Sequence, residues 1–243
     1  KNYAAHGGYG YAAYTDVPAP AGVYPYGKVR APEEPGSGSS GNGGGTIRLD
    51  VIGALTLDGS IDANAVSNVN YGGAGGSVYL RAGTISGAGE VTANATCKGN
   101  DCGYGSGGRV AIVLTDEGAT FDEFDPSAKC SAFSSPAGSN TNFGQPGTIY
   151  AETPQDAESG GWLIIKGPPT NPGNAYCRMT PIAGYGEETV KFGQITLINE
   201  MFSTKFACCI FIDFSYFIFA KKRKLGYLRR INHGLQRNYR RNA

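Results

Sequence analysis

The sequence predicts an all-β fold, a parallel β-solenoid of about four coils with glycine-rich corners, and three observations point there. A glycine followed by alternating polar and apolar residues recurs at Gly45-Thr46-Ile47-Arg48-Leu49, Gly76-Ser77-Val78-Tyr79-Leu80, Gly108-Arg109-Val110-Ala111-Ile112 and Gly147-Thr148-Ile149-Tyr150-Ala151, at spacings of 31, 32 and 39 residues. A second pattern, Gly59-Ser60-Ile61-Asp62-Ala63-Asn64-Ala65, returns as Gly89-Glu90-Val91-Thr92-Ala93-Asn94-Ala95 at a spacing of 30. Glycine makes up 38 of 243 residues, without the triplet period of collagen, while charged residues are only 17%.

Residues 1–42, rich in Gly, Tyr, Pro and Ser, read as flexible coil or an irregular first coil. Residues 43–152 carry the repeats. Period-two alternation with β-branched residues is the mark of half-buried strands, and coils stacked about 4.8 Å apart would align like positions into inward columns. One column is Ile47, Val78, Val110 and Ile149; another is Leu49, Leu80, Ile112 and Ala151; Ile61 over Val91 and Ala63 over Ala93 begin two more. Glycines then fall at corners, where the chain turns with positive φ or passes close to the coil below. The third coil lacks the second pattern and its spacing lengthens, so an inserted loop is expected between Asp116 and Cys130. Residues 153–200 are expected to add further strands or an edge cap. The alternative architecture is an antiparallel β-sandwich, which also has short strands but no need of one long period.

Residues 201–243 differ in kind. The formal charge of +1 splits into −8 over residues 1–200 (11 basic, 19 acidic) and +9 over 201–243 (10 basic, 1 acidic), and glycine falls from 36 to 2 across the same point. The apolar run 206–220 is short for a membrane span and carries Asp213; with Lys221-Lys222-Arg223-Lys224 behind it, an anchor is one reading. The other is a basic tail that is disordered or not native. Nucleic acid is a poor match to the acidic, glycine-rich body. Lys1 is not followed by a signal-peptide pattern, and the chain reads as a fragment or processed form.

His6-Gly7-Gly8, Tyr26-Gly27 with Pro32 and Gly36-Ser37-Gly38, and then the repeats resemble the glycine-rich β-solenoid repeat regions of large extracellular and cell-surface proteins. Trp162-Leu163-Ile164-Ile165 and Gly193-Gln194-Ile195-Thr196-Leu197 are similar to the strands that follow in such regions. The resemblance spans roughly residues 5–199 and implies a stalk-like or surface-displayed solenoid in an extracellular setting, with no catalytic residues to transfer.

Candidate sites are few. Cys97 and Cys102 bracket a polar turn where a short disulfide loop is plausible, with Cys130 an alternative partner. A zinc site would want more than the two histidines, His6 and His233. Asn94-Ala95-Thr96 is a glycosylation sequon. Arg48, Tyr79 and Tyr150 fall on the outward face of the aligned strands, where aromatic rings and a guanidinium could bind sugars or a partner. Asp58 and Asp62 read as a solvated face, and Asp116, Glu117, Asp122, Glu123 and Asp125 as an acidic loop without the spacing of a calcium loop. No phosphate-binding glycine motif is present. The expected function is a structural or adhesive segment of an extracellular or cell-surface protein, with carbohydrate or other surface components as partners, and without catalysis, cofactor or metal. The alternative is a polysaccharide-active β-helix enzyme.

Overall fold

In the computed structural model the described residues are 4–8, 10, 25–39, 41–66, 72–95, 105–134, 144–167 and 191–198, with the backbone of two strands at Cys209–Ile212 and Tyr216–Phe219. Strands β1 (Thr46–Thr56), β2 (Ser60–Asp62), β3 (Ser77–Ser86), β4 (Glu90–Thr92) and β5 (Arg109–Leu114) are followed by a single helical turn, α1 (Pro126–Lys129). Then come β6 (Cys130–Ser131), β7 (Thr148–Glu152), β8 (Gly161–Lys166) and β9 (Phe192–Ile198). The long sheet has the order β1-β3-β5-β7-β8-β9 and the short one β2-β4-β6. Every contact from β1 to β7 is parallel in both sheets, and the chain winds as a β-solenoid of about three turns.

The register matches the repeats residue for residue. Ile47 lies beside Val78, Val78 beside Val110 and Val110 beside Ile149, and Leu49, Leu80, Ile112 and Ala151 form the next rank. Val78, Leu80, Val110 and Ile112 are fully buried and meet Val91, Ala93 and Ala132 from the short sheet. The coils differ in length at two defined places. Val51 pairs with Ala82 and Ala54 with Thr84, so Ile52 and Gly53 oppose Gly83 alone. This β-bulge is the one residue by which the spacing of 31 exceeds the spacing of 30. In the third coil, Val110 to Cys130 is 20 residues where Val78 to Val91 is 13, a difference of 7 that equals the lengthening from 32 to 39. The insertion therefore lies wholly between β5 and β6, and it closes over the core with Phe124 and Ala119.

The missing second pattern of the third coil is present in altered form. Val91 pairs with Cys130 and Thr92 with Ser131, so Cys130-Ser131-Ala132 occupies the place of Val91-Thr92-Ala93. Sequence matching lost it because Cys stands at the apolar position and no glycine leads it.

The corner glycines owe their identity to close approach. A Cβ on Gly44, Gly75 or Gly107 would sit 2.0, 2.0 or 1.9 Å from the carbonyl oxygen of Ala63, Ala93 or Ala132. The same three oxygens accept the N–H of Gly76, Gly108 and Gly147 at 2.8, 2.8 and 2.7 Å. No side chain fits between these backbones, whereas positive φ occurs elsewhere, as at Gly87 (φ 110) in the turn before β4.

Past the parallel rungs, β8 turns back antiparallel to β7, and β9 runs parallel to β8. Lys166 at the end of β8 donates from Nζ to the carbonyls of Ser127, Ala128 and Cys130, which ties this edge to α1. In the 206–220 run, Cys209–Ile212 and Tyr216–Phe219 pair as an antiparallel two-stranded sheet. No helix among the described residues is long and apolar enough to cross a membrane.

Gly107→Ala is expected to lower unfolding stability by about 2 kcal/mol or more, because the methyl group must displace backbone. Gly45→Ala, whose Cβ meets nothing within 4 Å, is expected to change it by less than about 0.5 kcal/mol. Urea unfolding of both variants checks the contrast.

Candidate functional site

The outward column of the long sheet, Arg48, Tyr79, Ala111 and Tyr150, aligns in register as the repeats predict, but most of it is not at the surface. Tyr79 is 9% exposed and Tyr150 2%, which corrects the expectation that both face solvent. The physical reason is a second layer. Val29 and Ala31, from the N-terminal segment, pack on Tyr79, Ala111 and Tyr150 together with Leu163 and Ile165 of β8. The described part of the segment expected to be flexible is a strap across the outer face.

Two polar clasps hold the strap. In the first, Arg30 pairs with Glu152, and the Tyr150 hydroxyl donates to Glu152 Oε2 at 2.6 Å while accepting from Gly161 N at 3.2 Å. Burial, with the Glu152 carboxylate as hydrogen-bond partner, raises the Tyr150 phenol above its usual range. The second clasp is centred on His6, which is fully buried. Its Nδ1 contacts the Gly75 carbonyl at 2.7 Å and so carries the proton, which leaves Nε2 unprotonated, 3.4 Å from Ser77 Oγ. Its ring packs on Tyr26 with centroids 4.8 Å apart. The buried Arg109 donates from Nε to the Tyr26 carbonyl at 2.9 Å and from Nη1 to Thr148 Oγ1 at 3.0 Å. Gly27, at φ 82, lets the strap cross above: a Cβ there would lie 3.0 Å from His6 Nε2 and 3.1 Å from Glu34 Oε2.

A histidine beside a serine invites comparison with a nucleophile and its base, and the hydrogen bonds answer it. Ser77 Oγ donates to the Glu34 carbonyl at 2.5 Å, so its proton is directed away from His6. Burial first, and the Arg109 charge second, lower the His6 pKa to about 4 and keep the ring neutral. The arrangement pins the strap. His6 and Arg109 stand in the quoted repeats and motif, but only the fold, bringing residue 6 onto residues 75 and 77, reveals their partnership.

The other candidates are placed as follows. Arg48 is exposed, with its guanidinium 5.0 Å from the Tyr79 ring centroid, 2.7 Å from Glu33 and 3.1 Å from Asp50. Asn94 is buried in an amide ladder: its N–H donates to Asn64 Oδ1, its Oδ1 accepts from Phe133 N at 2.9 Å and its Nδ2 donates to Ser131 Oγ at 2.9 Å. A glycan on Nδ2 would have to displace that last bond, so in the folded chain Asn94 serves the coil contact. Cys97 and Cys102 lie outside the described residues. Cys130, the alternative disulfide partner, is a free thiol buried in the core, and burial pushes its pKa up to about 12. Asp58 and Asp62 accept from the backbone N–H groups of Ala88 and Asn64. In the inserted loop Asp125 caps α1 through Ser127, and Asp122 accepts from Thr120. Among the described residues no three His, Cys, Asp or Glu side chains are grouped to hold a metal ion.

No protein-family model matches the chain, no curated protein matches it in sequence, and no solved structure matches it.

The His6 clasp makes stability pH-dependent. Unfolded histidine binds a proton near pH 6.5, folded His6 only near 4, so the unfolded state takes up more protons between these values. The His6 contribution to stability is expected to be essentially full above pH 6.5 and to fall by about 3 kcal/mol as pH drops toward 4. His6→Gln is expected to flatten that part of the profile, as measured by chemical unfolding between pH 4 and 7.

Proposed function

We propose that the chain is a structural solenoid segment of an extracellular or cell-surface protein, serving as a spacer whose outer face is closed by its own strap. The supporting observation is that the outward aromatic column is covered by residues 29–31 and locked by Arg30–Glu152 and His6–Gly75, so the face best suited to sugar stacking is spent on folding. The extracellular setting rests on the resemblance of the repeats. Surface contacts, if made, centre on the exposed Arg48 and its neighbours Glu33 and Asp50.

The polysaccharide-active alternative has less to stand on. In the outward rank Asp50, Arg81, Val113 and Glu152, the two carboxylates sit three rungs apart, about 14 Å, beyond the roughly 5–9.5 Å of a glycosidase pair. Glu152 is moreover buried against Arg30 and Tyr150.

Antibody against the chain is expected to label intact, non-permeabilised source cells or their matrix. Labelling that requires permeabilisation would overturn the extracellular placement. On a polysaccharide panel the full chain is expected to release no reducing or unsaturated ends; cleavage abolished by Asp50→Asn would instead establish the enzymatic reading.

A further inference from the structure

We propose that the open edge of β1 pairs with the same edge of a second copy of this chain, antiparallel and centred on Leu49. Among the described residues β1 has a strand on one side only, and all its 11 residues are exposed or half-buried, alternating from Thr46 to Ile52. Ile47, Leu49 and Ile61 are half-buried where Val78, Leu80 and Val91, one coil on, are fully buried. The corner glycines show the same open side. A Cβ on Gly76 would strike Gly45 O and one on Gly89 would strike Gly59 O, but Gly45 and Gly59, their counterparts in the first coil, meet nothing within 4 Å. A long, unblocked strand edge is a template for another strand.

The hydrogen-bond phase and the charges select the occupant and its register. Ser77 N donates to Gly45 O, so residues 45, 47, 49 and 51 direct their backbone groups toward β3. Thr46, Arg48, Asp50 and Ile52 direct theirs toward the open edge. With a two-fold axis at Leu49, Arg48 faces Asp50 of the other copy and Thr46 faces Ile52, all as hydrogen-bonded pairs, while Ile47 faces Val51 on the core side. Outward partners are opposite in charge and inward partners are apolar. Centring the pair on Arg48 or on Asp50 instead would set like charges against each other, which is unfavourable. Such self-complementarity is what an isologous interface requires.

Sedimentation analysis of the full chain is expected to show a concentration-dependent dimer. Arg48→Asp and Asp50→Arg, each making two like-charge pairs, should weaken it by about tenfold or more, and the double exchange R48D/D50R should restore it. Hydrogen exchange on the unaltered chain needs no variant: amides 46, 48, 50 and 52 are expected to gain protection as concentration rises. A monomer at about 100 μM overturns the proposal, as does a double exchange no better than the singles. Protection that does not vary with concentration would assign the edge to another segment of the same chain and overturn it equally.

Discussion

The contact on which this fold depends is the meeting of a glycine N–H with an alanine carbonyl at the corner of each coil. Ala63, Ala93 and Ala132 accept from Gly76, Gly108 and Gly147, and Gly44, Gly75 and Gly107 pass so near the same oxygens that a methyl group has no room. This brings the returning segment onto the end of the short sheet. From there the long strands can only continue in parallel, with like residues in register, and the inward columns follow as a consequence.

Stacking coils at strand spacing solves one problem and creates another. It buries Val78, Leu80, Val110 and Ile112 completely, but it also lines up Tyr79, Ala111 and Tyr150 on the outside as an apolar stripe. An uncovered stripe of that kind favours association with whatever apolar surface is at hand. Here the strap covers it, and because the strap is irregular its backbone groups need partners: Tyr26 donates its N–H to His6 and its carbonyl accepts from Arg109. The buried polar residues His6, Ser77, Arg109 and Thr148 are thus explained as the hydrogen-bonding complement of an irregular segment laid over a regular sheet. A histidine and a serine placed for that purpose can resemble a catalytic pair, and the direction of the Ser77 proton separates the two cases.

Irregularities were as informative as the repeat. The difference of one residue between the two spacings is the bulge that leaves Ile52 95% exposed, and the difference of seven is the insertion that places Phe124 over the core. Both were legible as numbers in the sequence, and the loss of the second pattern already placed the insertion between Asp116 and Cys130; the bulge could not be located without the register, because a change in spacing does not say on which side of the coil the extra residue lies. The strand β6 escaped notice for a related reason. Cys130 fills a place held by Ile61 and Val91, as a small apolar side chain can, but a pattern written in branched residues and a leading glycine does not recognise it.

By itself the sequence determined the solenoid, its inward columns and its rung-by-rung register, because period and alternation are local properties that stacking merely repeats. Only the tertiary structure decided which outward residues remain outward. Burial of Tyr79 and Tyr150, the commitment of Asn94 to a ladder and the meeting of His6 with Gly75 all depend on segments distant in the chain. No pattern of one repeat encodes where a non-repeating segment will lie. That placement is set by the apolar area it covers and by the hydrogen bonds its backbone can find there.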